Sequence, residues 1–158
     1  MPPRVELRPA EPADEEFLLQ VYASTREAEL ALVDWNDAQK EAFARSQGEA
    51  AQRHYRTHYH GVELSVVLVG GEPAGRLYVL RRDDEIRVVD IALLPAFRGL
   101  GVATKLLRDL FEEADRTVRP VRLHVEKFNP ALGLYARLGF EAIEDRGVYL
   151  FLERKPAT

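Results

Sequence analysis

Residues 94–111, LPAFRGLGVATKLLRDLF, place an arginine and two glycines between an apolar run and a helical pattern. Leu106, Leu107, Leu110 and Phe111 recur at helical spacing, so Arg98, Gly99 and Gly101 sit at the mouth of a helix. The first turn of a helix carries unpaired N–H groups and partial positive charge, which suits a phosphate. Glycine lets the backbone approach an anion, and an arginine adds a charged fork. A tight strand-to-helix connection with incidental glycines would show the same residues. Two nucleotide motifs fail on the spacing. A P-loop lysine would follow its glycine directly, whereas Lys105 comes four places after Gly101. Thr104 stands where a dinucleotide fingerprint needs its third glycine.

Other residues offer acid–base or ligand chemistry. Strict alternation along EIRVVDIAL puts Ile86, Val88, Asp90 and Ala92 on one strand face and Arg87, Val89 and Ile91 on the other. An acid on an apolar row is a candidate base, a structural acceptor or a grip on a cation. His54 and His58 lie one helical turn apart, but Tyr55 occupies the place of a metalloprotease glutamate and no further ligand beyond His60 is evident. No metal site is expected. His124, on a later strand, faces either a cleft or the core and is a secondary base candidate.

The elements that must position these groups follow from periodicity. RVELR (4–8) alternates as a strand. A helix follows, with Phe17, Val21 and Ala28 on one face. Asp34 or Asn36 caps a second, polar helix running to about His58, with a thin apolar face of Phe43, Ala50 and Ala51. From Val62 three strands form an antiparallel meander, and the helix of the glycine loop comes next. RPVRLHVE is a strand, NPALGLYARLG a short helix, and FEAIEDRGVYLFLE a hairpin. The order β-α-α-β-β-β-α-β-α-β-β describes an α/β domain, a mixed sheet with packed helices, spanning residues 1–158.

Composition narrows the classes. Of 158 residues, 46% are apolar and 30% charged, ordinary for a globular chain. The net charge of −4 gives no electrostatic reason for nucleic acid or an anionic membrane as partner. There is no cysteine, hence no disulfide and no thiol nucleophile. No leader or membrane-length apolar run is apparent, so a cytoplasmic location is expected.

DIALLPAFRGLGVATKLL, followed about thirty residues later by HVEKFNPALGLYARLGF, resembles the GNAT superfamily of acyl-CoA-dependent N-acyltransferases. Arg98, Gly101 and Ala103 match that family's pyrophosphate motif R/Q-x-x-G-x-G/A; Asn129, Tyr135 and LGF (138–140) match its asparagine–tyrosine segment. The element order agrees over residues 4–153. The resemblance implies the family fold, a central and mostly antiparallel sheet with helices on both faces. It implies acetyl-CoA as acyl donor, lodged where a bulge splays two neighbouring strands, and transfer to a primary amine in a ternary complex. Backbone contacts to the pantetheine arm would come from Ile91, Ala92 and Leu93. Contacts to the pyrophosphate would come from Arg98, Gly99, Leu100, Gly101, Val102, Ala103 and Thr104.

By the same resemblance Tyr135 is the acid near the sulfur, and Asn129 caps its helix or bonds the pantetheine amide. Asp90 is the candidate base, although the family glutamate of this strand aligns with Arg87. The acceptor pocket would be walled by the first two helices, where Tyr22, Arg26, Glu29, Asp34 and Trp35 stand, with Arg76 and Tyr78 on the strand beside Asp90. A homodimer is among the assemblies the resemblance allows. Competing readings are a non-catalytic acyl-CoA-binding regulatory module and a nucleotide-binding protein using the same loop. A thermal-shift panel separates the ligand classes, because a ligand that binds only the folded chain raises the melting temperature. CoA is expected to stabilise the chain while ATP and NAD leave it unmoved; stabilisation by ATP alone would end the CoA reading.

Overall fold

The computed structural model describes residues 4–157. Its strands are β1 (Val5–Pro9), β2 (Glu63–Val69), β3 (Glu72–Arg81), β4 (Ile86–Leu93), β5 (Val121–Glu126), β6 (Glu141–Arg146) and β7 (Tyr149–Arg154). The helices are α1 (Glu15–Leu30), α2 (Asp37–His58), α3 (Val102–Arg116) and α4 (Leu132–Arg137). The strands form one seven-stranded sheet in the order β1-β2-β3-β4-β5-β7-β6. Every neighbouring pair is antiparallel except β4 with β5. No helix among the described residues is long and apolar enough to cross a membrane.

One face of the sheet carries α3, whose Val102, Leu106, Leu107, Leu110, Phe111 and Ala114 close the main core over Val67, Leu77, Val79, Ile86, Val88 and Leu123. The other face carries α1 and α2. Asn36 caps α2, accepting the Gln39 N–H at 2.8 Å while Gln39 Oε1 accepts the Asn36 N–H at 2.9 Å. Of the two candidate caps, Asn36 rather than Asp34 fills the position.

The helix faces differ from those read off the sequence. In α1 the buried residues are Leu18, Leu19, Val21, Tyr22 and Ser24, and Ala28 is exposed. In α2 they are Ala44, Gly48 and Gln52, whereas Phe43 turns outward against Trp35 with ring centroids 5.3 Å apart. The reason is close helix–helix approach: a Cβ added at Gly48 would lie 2.9 Å from Leu19 Cδ2 and 3.2 Å from Tyr22 Cδ1. A face that lies against another helix selects small residues, and its signal is a row at i, i+4, i+8 with little hydrophobicity.

The pairing of β4 sets the functional geometry. Tyr78 pairs with Asp90 but Val79 pairs with Val88, so Val89 is an extra residue in a bulge. The bulge reverses the alternation beyond it. Ile86 and Val88 face the α3 core, and after the bulge Ile91 and Leu93 do so too. Asp90 therefore does not share the Ile86–Val88 row, as strict alternation predicted; it lies with Tyr78 under α1 and α2. On the other side of β4, pairing with β5 stops after Ile86↔Val121, Arg87↔Arg122 and Val88↔Leu123. The two strands then diverge.

Gly75 holds β3 close to the free end of β4: an added Cβ would meet the Ala92 carbonyl oxygen at 2.1 Å and Leu93 Cα at 2.9 Å. Gly75→Ala is expected to destabilise the chain by about 3 kcal/mol, since backbone cannot rotate aside. The shift in denaturant midpoint measures it, with weakened CoA binding expected alongside.

Candidate active site

Where β4 leaves β5 there is a cleft of about 80 Å³, lined by Val88, Val89, Asp90, Ile91, Leu123, His124, Val125, Asn129 and Tyr135. A larger hollow, about 260 Å³ between β1, β3 and α3, contains none of the candidate site residues. The cleft therefore has the chemistry although it is the smaller of the two. It joins both faces of the sheet, with Tyr135 belonging to the α3 core and Asp90 to the α1–α2 side.

Downstream of β4 the chain makes a 3-10 turn at Pro95–Phe97 and enters α3 through Gly99 and Gly101, with φ of 74° and 79°. A Cβ at either glycine would touch nothing among the described residues, so the residue is required by the left-handed backbone. The first bond of α3 is Lys105 N–H to the Gly101 carbonyl at 3.0 Å, and no side chain caps the helix. The N–H groups of residues 99–104 make no hydrogen bond among the described residues. They form the donor cradle that an anion needs. Exposed Arg98 stands beside it. Its Nε donates to the Leu93 carbonyl at 3.0 Å and its Nη2 lies 3.5 Å from Ser24 Oγ of α1. On β4, Ile91, Ala92 and Leu93 pair with β3 only, so one backbone edge faces the cleft.

Tyr135 is buried against Phe140, ring centroids 5.6 Å apart, and its hydroxyl has no protein partner among the described residues. Burial, and then the Asp90 charge, push the phenol up to about 12. It holds its proton throughout the neutral range. Asn129 Oδ1 accepts the Ala131 N–H at 2.8 Å, so this residue caps the turn into α4 while also lining the cleft.

Asp90 Oδ2 lies 2.5 Å from Nε of Arg76, an ion pair in distance whose N–H direction is off the line of a good hydrogen bond. Burial opposes the Arg76 charge, but Asp90, Tyr78 and Tyr55 outweigh it and the guanidinium pKa is raised. Arg76 is 3% and Tyr78 0% exposed, so neither offers the acceptor surface expected of them; they lie beneath Asp90. His124 stacks on Phe151 at 4.6 Å, and its Nε2 accepts from Arg146 Nη1 at 2.6 Å. Burial, then Arg87 and Arg146, lower its pKa, which keeps the ring neutral.

The remaining candidates of the first helices are partly spent on each other. Arg26 pairs with Glu29 at 3.0 Å and donates to the Tyr22 hydroxyl at 3.1 Å, so the two charges are turned towards each other. Trp35 is on the surface with Phe43. Gln52 and Tyr55 were not among the site candidates read from the sequence, yet Gln52 Oε1 accepts the Tyr78 hydroxyl at 3.1 Å and the Tyr55 ring meets that of Tyr78 at 5.4 Å. The i, i+4 row Ala44–Gly48–Gln52 was the available signal. No cluster of three or more His, Cys, Asp or Glu able to hold a metal occurs among the described residues.

A mixed sheet splayed at one parallel pair, with a donor cradle at the following helix, defines an acyl-CoA transferase fold. The Acetyltransferase (GNAT) family model matches residues 25–140, and the chain belongs to that family. It is 32% identical over 152 residues to the spore coat polysaccharide biosynthesis protein SpsD of Bacillus subtilis, covering 89% of this chain and 48% of that protein. It is 34% identical over 67 residues to a ribosomal protein bS18-alanine N-acetyltransferase of Haemophilus influenzae, covering 42% of this chain and 46% of that protein. The chain thus matches about half the length of these relatives. Among solved structures, the PaiA N-acetyltransferase of Thermoplasma acidophilum in complex with coenzyme A superposes with TM-score 0.71 at 16% identity, covering 96% of this chain and 99% of that one. A GCN5-related N-acetyltransferase from Rhodopseudomonas palustris superposes with TM-score 0.68 at 21% identity, over 95% and 94% of the two chains.

Tyr135 generates a stability prediction. The folded chain retains this proton where the unfolded chain, at the ordinary value of 10.0, has lost it. Its contribution is full below pH 10 and is lost as pH rises towards about 12. Tyr135→Phe should flatten this alkaline loss in part, read from melting temperature against pH, since buried Tyr55 and Tyr78 also titrate high.

Proposed function

We propose that the chain transfers an acetyl group from acetyl-CoA to a primary amine by direct attack in a ternary complex. The observation that carries this reading is the open edge of β4 leading from the N–H cradle of α3 to a cleft holding Asp90 and Tyr135. The pyrophosphate would take the donors of residues 98–104, Arg98 through Thr104. The pantetheine arm would add to Ile91, Ala92 and Leu93 as a short strand. The thioester then reaches the gap where the two sheet faces meet.

The amine nitrogen attacks the carbonyl carbon; a C–N bond forms and the C–S bond breaks. The amine proton passes to the Asp90 carboxylate directly or through water, and the Tyr135 phenol protonates the departing thiolate. A protonated phenol and a carboxylate in one cleft supply both ends of that exchange. His124 is the poorer acceptor because Arg146 already occupies its Nε2. No nucleophile of the chain enters, so no covalent enzyme intermediate forms.

The names of the relatives direct the search for the acceptor towards peptide amines, as in an alanine N-acetyltransferase, and amines of carbohydrates, as in a polysaccharide pathway. Screening thiol release from acetyl-CoA against peptides, amino sugars and aminoglycosides tests this. With the best amine, Tyr135→Phe is expected to lower kcat by about a hundredfold, within the range for a lost general acid. CoA affinity by calorimetry should change less than about twofold, because the phenol is not part of the phosphate cradle. Undiminished turnover in this variant would remove Tyr135 from the chemistry, whereas CoA binding with no turnover on any amine would assign the chain to the non-catalytic acyl-CoA-binding class.

A further inference from the structure

Arg76 is the one buried cation of the site that this mechanism does not use. Arginine is rarely buried without a counter-charge, and the only ion pair of Arg76 among the described residues is with Asp90. Its guanidinium carbon lies 5.2, 5.7 and 6.0 Å from the ring centroids of Tyr78, Tyr22 and Tyr55. The three rings come from β3, α1 and α2. Gln52 ties the clamp to α2 through the Tyr78 hydroxyl at 3.1 Å. Stability by itself does not call for this arrangement, because a buried ion pair seldom outperforms apolar residues of the same volume.

Two of the buried polar atoms of this group face each other: Arg76 Nε lies 2.5 Å from Asp90 Oδ2, and Asp90 in turn lines the cleft. Among the described residues four buried side-chain atoms lack a hydrogen bond, and three of them are Gln52 Nε2, Arg76 Nε and Asp90 Oδ2. Charge and ring packing, rather than an aligned hydrogen bond, therefore hold the Asp90 carboxylate where it borders the gap. We propose that Arg76 is the positioning residue of the transfer step: clamped by Tyr22, Tyr55 and Tyr78, it holds the Asp90 carboxylate at the mouth of the β4–β5 gap and acts on turnover only through Asp90. This rests on the reading of Asp90 as proton acceptor.

The test is a double-mutant cycle of Asp90→Asn and Arg76→Met, with Arg76→Lys as the charge-keeping control. Turnover is followed as thiol release from acetyl-CoA with the best amine of a fixed panel of peptides, amino sugars and alkyl amines. Each single variant is expected to lose kcat by about tenfold or more, the double variant to be no worse than Asp90→Asn, and KM for acetyl-CoA to stay within about twofold. Arg76→Lys should recover part of the loss, since it keeps the charge without the planar fork. The neutral double variant keeps the cycle readable if Arg76→Met folds poorly. Losses that multiply in the double variant, or a KM effect without a kcat effect, overturn the positioning role. An Asp90→Asn variant with full kcat overturns instead the reading of Asp90 as acceptor. A crystal structure of Arg76→Met with CoA bound gives a readout independent of any acceptor: Asp90 turned from the gap is expected, and Asp90 unmoved would refute the proposal.

Discussion

Three residue pairs of parallel strand, Ile86–Val121 to Val88–Leu123, are all that join the two halves of the sheet at its centre. The rest of the molecule is built around that brief contact. It must be long enough to keep the sheet continuous and short enough to leave the end of β4 unpaired. An unpaired backbone edge inside a protein is costly unless something bonds to it. Here the free edge runs on into a helix whose first N–H groups are equally unpaired. Two unsatisfied surfaces in succession make a continuous polar track, and an extended thioester bearing phosphates would satisfy both.

The bulge at Val89 determines what the track leads to. It bends β4 away from β5, and it also reverses which side chains face which layer. Without the extra residue Asp90 would point into the α3 core, where no cation awaits it. With it, Asp90 meets Arg76 under α1 and α2, while Ile91 and Leu93 return to the core. One inserted residue therefore separates an apolar packing row from an electrostatic one. Tyr135 approaches the same gap from the opposite layer, and burial keeps its phenol protonated.

Charge is managed differently in the two layers. The α3 side is apolar and closes around branched and aromatic side chains. The α1–α2 side is thin, because Ala44 and Gly48 let the helices lie close, and it carries a guanidinium boxed by tyrosine rings. Further along the sheet Glu85 serves Arg82, Arg87 and Arg122 together.

The order of the elements was legible in the sequence, because helix and strand periodicities are local and the glycine loop and the Asn129–Tyr135 segment carry their spacing along the chain. So were the cleft-lining Asp90, His124, Asn129 and Tyr135. The packing faces of α1 and α2 were not, since a face selected for closeness shows small residues instead of apolar ones. The alternation of β4 was misread for a related reason: a bulge is decided by the partner strand, and nothing in VVDIAL marks Val89 as the extra residue. Arg76 and Tyr78 read as acceptor-pocket residues, and their burial was not legible because burial of a cation depends on a counter-charge from another strand. Local chemistry and period belong to the sequence by itself; register, closeness and the pairing of distant charges arise only when the layers meet in three dimensions.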